Sequence, residues 1–340
     1  MRRILAKIIE ADSQIHLIAL QTAVYGIILA GCYLWSHHNN NFMAAMIGLL
    51  TNSLMLTQNY HGNNSYQRLS FSFIFSIVCS FLFGLATFIS GSAVYSSLLI
   101  LCLIPLLTIL NDHQLLRSFA FYLAYAFILG LGFSANSQSA AIMLAAFFAL
   151  GCFMLVAGGF IRLWIRDKLL NIPEVHAVAK YSLVGHPEPR DISFVIVLTI
   201  AVTGSNIFAY ALNLSHGYWL PLTTLLVFRD EHYITIRRVY QRIAGTIIGI
   251  TLAYVFLFNL GTFGLSIGLM ILFYLCIITI NRYYLVFCIV ITLLVMDMLF
   301  LSDSNKEILH VRLLATVISV VLVVFASMVV KIWAEKRNYL

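Results

Sequence analysis

Trp219 and Thr223 stand four residues apart in the stretch GYWLPLTTLLVFRDEHYITIRRVYQRIAGT, residues 217–246, and therefore share one face of a helix. An indole beside a hydroxyl offers a stacking surface and a hydrogen bond, which suits a planar, partly polar ligand. Tyr218 and Trp219 fit an aromatic belt at the outer membrane interface equally well. Downstream, Arg238 and Arg242 are again four apart, and Arg242 precedes Thr246 by one turn. A guanidinium at the cytoplasmic mouth of a helix can grip a carboxylate with two parallel hydrogen bonds, which an ammonium cannot do. Arg237 and Arg238 read as charges that set topology, whereas Arg229 and Arg242 flank a short apolar run that also holds Pro221 and Thr224. The chemistry suggested by these residue types is recognition of a small organic anion.

The elements that position them are membrane spans. The 340 residues are 61% hydrophobic and 10% charged, against about a quarter charged in a soluble domain, and the mean hydropathy is +0.95. The net charge of +7 is scattered over short connections and forms no stripe, which argues against a nucleic-acid partner. All six cysteines lie in apolar runs without a CxxC pair, as packing residues do, and no metal or cofactor is expected. The start, MRRILAKIIEADSQ, has no small-residue cleavage site, so an uncleaved N-terminus with a short interfacial helix is expected.

A span takes about 20 mostly apolar residues. Such runs fall near 15–35, 42–57, 70–90, 94–110, 117–133, 139–161, 191–212, 218–229, 243–260, 263–281, 283–300 and 311–330. The fold expected is an all-α integral membrane protein of twelve transmembrane helices with both termini inside. That arrangement leaves only Lys306 and Arg312, of the twenty Lys and Arg, on the outer side.

The proline-containing stretch RDKLLNIPEVHAVAKYSLVGHPEPRD divides two sets of six spans, giving a first repeat at 1–163, a cytoplasmic linker at 164–190 and a second repeat at 191–340. YQRLSFSFIFSIVCSFLFG at 66–84 lies over YQRIAGTIIGITLAYVFLF at 240–258, and Ser36-His37 matches Ser215-His216. Six is even, so both copies would share one orientation; two apolar helices can also converge on a match this short. The second and eighth runs are both short, and short segments at corresponding positions point to a transporter's central site. In that overlay Phe42 faces Trp219 and Asn52 faces Arg229, so the polar chemistry is concentrated in the second half. GTIIG (Gly245, Gly249) and GLSIG (Gly264, Gly268) have the spacing of close helix contacts.

The stretch HGYWLPLTTLLVFRDEHYITIRRVYQRIAGTIIG resembles the signature of the fusaric-acid-resistance-like (FUSC) membrane proteins, and ITLLVMDMLFL and RLLATVIS resemble that domain's closing segments. The matching positions are Tyr218, Trp219, Pro221, Thr223, Arg242, Gly245 and Thr246. The resemblance implies an exporter of aromatic or other small organic acids in the bacterial inner membrane, with the bilayer as its surroundings and a homodimer or a periplasmic adaptor as its protein partner. It also admits an anion channel of the malate-channel type. The sizeable cytoplasmic domains of many members have no counterpart here, and Asp230 and Glu231 join the basic residue after the short span.

Asp297, in LLVMDMLF, is an ionisable residue within a span and so a candidate for function. The expectation is a structural ion pair with Arg312, with proton coupling as its alternative. An enzyme is the competing class. HPEPRD gives the His-x4-Asp spacing (His186, Asp191) of membrane acyltransferases, but prolines interrupt it, and no HExxH, GxSxG or P-loop pattern occurs. The topology is open to a direct test: cysteine placed at Ser302 should react with an impermeant thiol reagent from outside and cysteine at Asn171 only from inside. The opposite labelling would overturn twelve spans with both termini inside.

Overall fold

A computed structural model describes residues 2–36, 39–58, 65–110, 117–168, 192–229, 231–256, 259–280, 282–302 and 307–338. The His37-His38 pair, Asp230, Lys306, the His186–Asp191 pattern and the linker from residue 169 onward lie outside the described residues. Among the described residues there are twelve helices and no strand. The first six are α1 (Arg2–Trp35), α2 (Asn40–Gln58), α3 (Ser65–Ile89), α4 (Ala93–Leu110), α5 (Arg117–Gly130) and α6 (Gln138–Lys168). The second six are α7 (Ile192–Ala211), α8 (Trp219–Val227), α9 (His232–Phe256), α10 (Thr262–Thr279), α11 (Tyr284–Ser302) and α12 (Glu307–Asn338). Eight of them are long and apolar enough to cross a membrane, and Ala93–Thr108 and Phe119–Gly130 are shorter apolar helices. The chain is a multi-pass membrane protein. The interfacial helix expected at the N-terminus is instead continuous with the first span, as one helix of 34 residues.

The packing is inside-out relative to a soluble domain. Phe81, Ile200, Val321 and Phe325 are exposed on the outer surface of the bundle, while Thr22, Asn52, Ser72, Ser205 and Thr292 are buried between helices. Apolar lipid gives no drive to hide apolar side chains, so helices meet through small residues and internal hydrogen bonds.

Within the first six helices, α1 packs on α2, α2 and α3 on α6, α3 on α5, and α4 on α5. Within the second six, α7 packs on α8, α8 and α9 on α12, α9 on α11, and α10 on α11, helix for helix the same pairings. The two sets meet where α1 packs on α10 and α4 on α7.

The two corresponding helices α2 and α8 differ in length, contrary to the expectation that both are short. α2 runs for 19 residues and is clamped to α6 backbone against backbone. A Cβ on Gly48 would lie 2.1 Å from the Phe148 carbonyl oxygen, and one on Gly151 1.8 Å from that of Ala45. The amide of Asn52 donates to the Cys152 carbonyl at 2.9 Å and its oxygen accepts from the Ser72 hydroxyl at 2.7 Å. α2 is therefore a sealed helix: Asn52 is satisfied by α3 and α6, and the hydroxyls of Thr51, Ser53 and Thr57 by carbonyls of α2 itself.

α8 has only nine residues, roughly 13 Å of helix where a hydrocarbon core is about 30 Å thick. It starts late because α7 ends in a Schellman turn: Asn213 is left-handed at φ 48°, its N–H bonds the Tyr210 carbonyl at 3.0 Å, and Leu214 N–H bonds that of Ala209 at 3.2 Å. A second left-handed residue, His216 at φ 57°, turns the chain into the bundle. Pro221 falls in the first turn of α8, where its missing N–H would have no helical partner. The helix stops early because Phe228 is extended. There the Thr235 hydroxyl accepts from the Arg229 N–H and donates to its carbonyl, both at 3.0 Å, which pins the reversal into α9.

The backbone contact at Gly151 makes a prediction. Gly151→Ala should cost about 1–3 kcal/mol through overpacking and lower the thermal midpoint in detergent by several degrees. Gly204→Ala, on an open face of α7 with nothing within 4 Å, should leave it unchanged or slightly higher; equal midpoints for the two variants would refute the clamp.

Candidate functional site around the short helix

At the N-terminal end of α8, Trp219 is 1% exposed, which removes it from a lipid-facing belt. The His216 ring stacks on it at 5.0 Å and 20°, Tyr218 tilts against it at 5.8 Å, and the Arg312 guanidinium lies 4.8 Å from its centroid. Outside this cluster, a cavity of about 410 Å³ is walled by Ser90 and Gly132 from the first half and by Asn206, Tyr210, His216 and Tyr218 from the second. Its rim is tied together by Tyr210, whose hydroxyl donates to the Ser90 carbonyl, and by the Asn206 amide, which donates to Ser96 and Ser97 at 3.0 Å each.

Along α8 the two threonines part company. Thr224 spends its hydroxyl proton on the Leu220 carbonyl at 3.0 Å, whereas the Thr223 hydroxyl is buried with no hydrogen-bond partner among the described residues. Thr246, on α9, is in the same state.

Arg242, expected at the cytoplasmic mouth of the ninth span, lies ten residues into α9, roughly 15 Å from the start of that helix, and is 1% exposed. Gly245 and Gly249 let α9 press against α11, since added Cβ atoms would meet the Cys288 Cβ at 2.5 Å and the Thr292 Cβ at 2.9 Å. This contact sets Nη1 of Arg242 3.8 Å from the Cys288 sulfur and leaves its Nε without an acceptor. Arg312, 2% exposed, has neither Nε nor Nη1 bonded. Both arginines are buried, as is Tyr125 of α5, and α9, which carries Arg242, packs on α12, which carries Arg312.

Two further arginines close the C-terminal end of α8. Arg238 donates to the Leu226 carbonyl at 3.4 Å and covers the Tyr284 ring at 4.9 Å, so it caps the negative end of α8 as well as marking topology. Arg229 donates to its neighbour's carbonyl, Phe228, at 3.3 Å and covers Phe121 at 5.5 Å, beside a pocket of about 70 Å³ between α4, α5, α7 and α8.

The expected ion pair between Asp297 and Arg312 is not formed. Asp297 is fully buried and faces α10, where a Cβ on Gly268 would sit 3.1 Å from its Oδ2, while Arg312 faces Trp219 at α8. Neither carboxylate oxygen has a hydrogen-bond partner among the described residues. The second glycine spacing is thus partly a seat for a carboxylate; Gly264 meets only the side chain of Leu260.

Sequence patterns did not disclose Tyr125, His216 or the position of Arg312 above Trp219. A signal for Arg312 was present, since it is one of the two cations that break the inside bias. Tyr125 carried none, being one tyrosine in an apolar run.

His216 lies outside the spans, and burial, reinforced by the Arg312 charge, holds its imidazole below the ordinary value of 6.5. The unfolded chain then binds the proton more readily than the native one, so stability is lost as pH falls through about 6.5. Thermal midpoints between pH 8 and pH 5 should drop on the acid side, and His216→Gln should flatten that slope; an unchanged slope would separate His216 from the effect.

Residues 193–326 match the family model described as fusaric acid resistance protein-like. An uncharacterized protein ORF2 of Neisseria gonorrhoeae is 45% identical over 53 residues, which is 16% of this chain and 13% of that protein, so the chain matches only a small part of that relative's length. No solved structure matches the chain. The matched region runs from the start of α7 into α12 and includes every residue drawn around α8 in the second half, so residues 193–326 are similar to the fusaric acid resistance protein-like domain whose signature the α8–α9 stretch resembles.

Proposed function

We propose that the protein is a transporter that exports aromatic and other small organic acids across the bacterial inner membrane. The carrying observation is Arg242, a guanidinium 1% exposed, with an unbonded Nε and no carboxylate paired to it among the described residues. A charge in the membrane interior is costly and marks a ligand or ion pathway, and an unbonded guanidinium edge selects an anion. The name of the matched family, which concerns resistance to an aromatic acid, fits the buried indole of Trp219 and the buried hydroxyls of Thr223 and of Thr246, the last one turn along α9 from that cation.

In this reading the path follows α8. The outer cavity lies at its N-terminal end, the Arg242 and Trp219 region beside it, and Arg229 at its inner end. The matching helix pairings support two six-helix repeats in one orientation, 1–163 and 191–340, joined by a cytoplasmic linker at 164–190, with twelve spans and both termini inside. Asp297 supports coupling to protons: a fully buried carboxyl with no hydrogen bond or cation among the described residues is one that can take up and release a proton in a transport cycle. Transport, and not catalysis, is the role the matched family supports.

Purified protein in liposomes should take up labelled benzoate, and an acid-outside or acid-inside gradient should drive accumulation against the concentration gradient. Arg242→Lys should insert normally yet reduce transport roughly tenfold or more, because lysine loses the forked hydrogen bonds worth about 1.5–3 kcal/mol. A lysine variant as active as the wild type would return Arg242 to topology alone. Movement only down a gradient, insensitive to pH, would identify an anion channel.

A further inference from the structure

We propose that the cavity at the N-terminal end of α8 binds an uncharged ring compound that donates a hydrogen bond from an O–H group, as a phenol does. Its volume of about 410 Å³ is in the range of small-molecule sites, and both six-helix sets build it. Among the described residues no Asp, Glu, Lys or Arg lines it. Nor does the start of α8 offer an anion site: the Trp219 N–H bonds the His216 carbonyl at 3.1 Å, the Leu220 N–H bonds that of Gly217 at 3.0 Å, and Pro221 has none. A carboxylate placed here would give up water without meeting a compensating charge. An ammonium would fare no better, with the Arg312 guanidinium against the neighbouring Trp219 ring.

What the walls do offer is a set of hydrogen-bond acceptors of fixed direction. Asn206 donates to Ser96 and Ser97 at 3.0 Å each, and Ser96 itself donates to the Ala93 carbonyl at 3.2 Å, so the Ser96 oxygen has to accept. That assigns the amide: both hydrogens are spent and Oδ1 is left as an acceptor. Tyr210 spends its hydroxyl proton on the Ser90 carbonyl. The Ser90 hydroxyl proton is shared between the Thr87 carbonyl at 2.9 Å and the Phe133 carbonyl at 3.1 Å. All three side chains line the cavity, two from α7 and one from just past α3, and each can only accept there. A ligand with no proton to give leaves them unpaired, which is the costly case. Leu131, Ala209 and the rings of Tyr210 and Tyr218 supply apolar wall, which suits a flat ring better than an open polyol. The site is separate from Arg242 and stands independently of the organic-anion reading.

The test is equilibrium binding of labelled phenol to the purified full chain in detergent at about pH 7.5, with unlabelled phenol, anisole, benzoate and benzylammonium as competitors. Phenol should displace the label at concentrations roughly tenfold or more below the other three. Anisole keeps the ring and lacks the proton, and only saturable, displaceable label counts, so uptake into micelles drops out. Tyr210→Phe, which keeps the ring, and Ser90→Ala should each weaken phenol several-fold. An undissociated carboxylic acid carries the same kind of O–H, and pH separates the two sources. Benzoate that gains on phenol as a competitor at about pH 5 extends the site to the acid, while an unchanged ratio confines it to phenols; phenol measured at both pH values corrects for any change in the protein itself. Anisole as effective as phenol overturns the acceptor set, and benzoate or benzylammonium as effective at pH 7.5 overturns the exclusion of charge. Absent saturable phenol binding, or binding indifferent to both substitutions, overturns the site. The wild-type competition decides even where Tyr210→Phe fails to fold, and any of these failures leaves the Arg242→Lys transport result to judge organic-anion export.

Discussion

Two positive charges are held inside an apolar helical bundle without a carboxylate paired to either among the described residues. The rest of the structure around α8 follows from that constraint. Guanidiniums on Arg242 and Arg312 need polarisable neighbours, and the bundle supplies the Cys288 sulfur and the Trp219 ring. They also need to be kept from lipid. α9 achieves this by pressing two glycines against α11, which fixes the rotation of α9 and aims Arg242 inward. The interaction left unmade is the one a ligand can make.

The same six-helix packing scheme is used twice, with opposite outcomes. In the first set, Gly48 and Gly151 bring α2 and α6 into backbone contact, and Asn52 is satisfied on both its donor and acceptor sides. In the second set, the counterpart of α2 is cut to nine residues by a left-handed turn before it and an extended residue after it. Shortening α8 removes helix from both ends of the bundle interior, and cavities occupy the vacated places. A full-length α2 holds the fold; a truncated α8 opens it.

Those cavities also explain why the first set is indispensable to a site whose cations all lie in the second. Ser90 and Gly132 wall the cavity at the N-terminal end of α8, and Phe121 supports Arg229. Gly132 matters sterically, since a Cβ there would sit 2.5 Å from the Tyr218 ring. The site is thus completed by side chains about a hundred residues away in the chain, which only helix packing can deliver.

The sequence by itself determined the membrane class, the number of helices and the neighbourhood of the site. Hydropathy and span length are local properties, and the proline, hydroxyls and arginines around α8 are contiguous in the chain. Tertiary structure alone decided the length of α2, the depth of Arg242 and the partners of Asp297 and Arg312. In an apolar helix nearly every face is hydrophobic, so the pattern does not say which way a side chain points; helix rotation is set by the small residues at each contact. Asp297 and Arg312 occupy corresponding ends of adjacent helices, and from sequence a pair was the natural expectation. The rotation of α11 toward α10, and of α12 toward α8, turned them to different neighbours. It thereby left one carboxyl and one guanidinium available for chemistry instead of for each other.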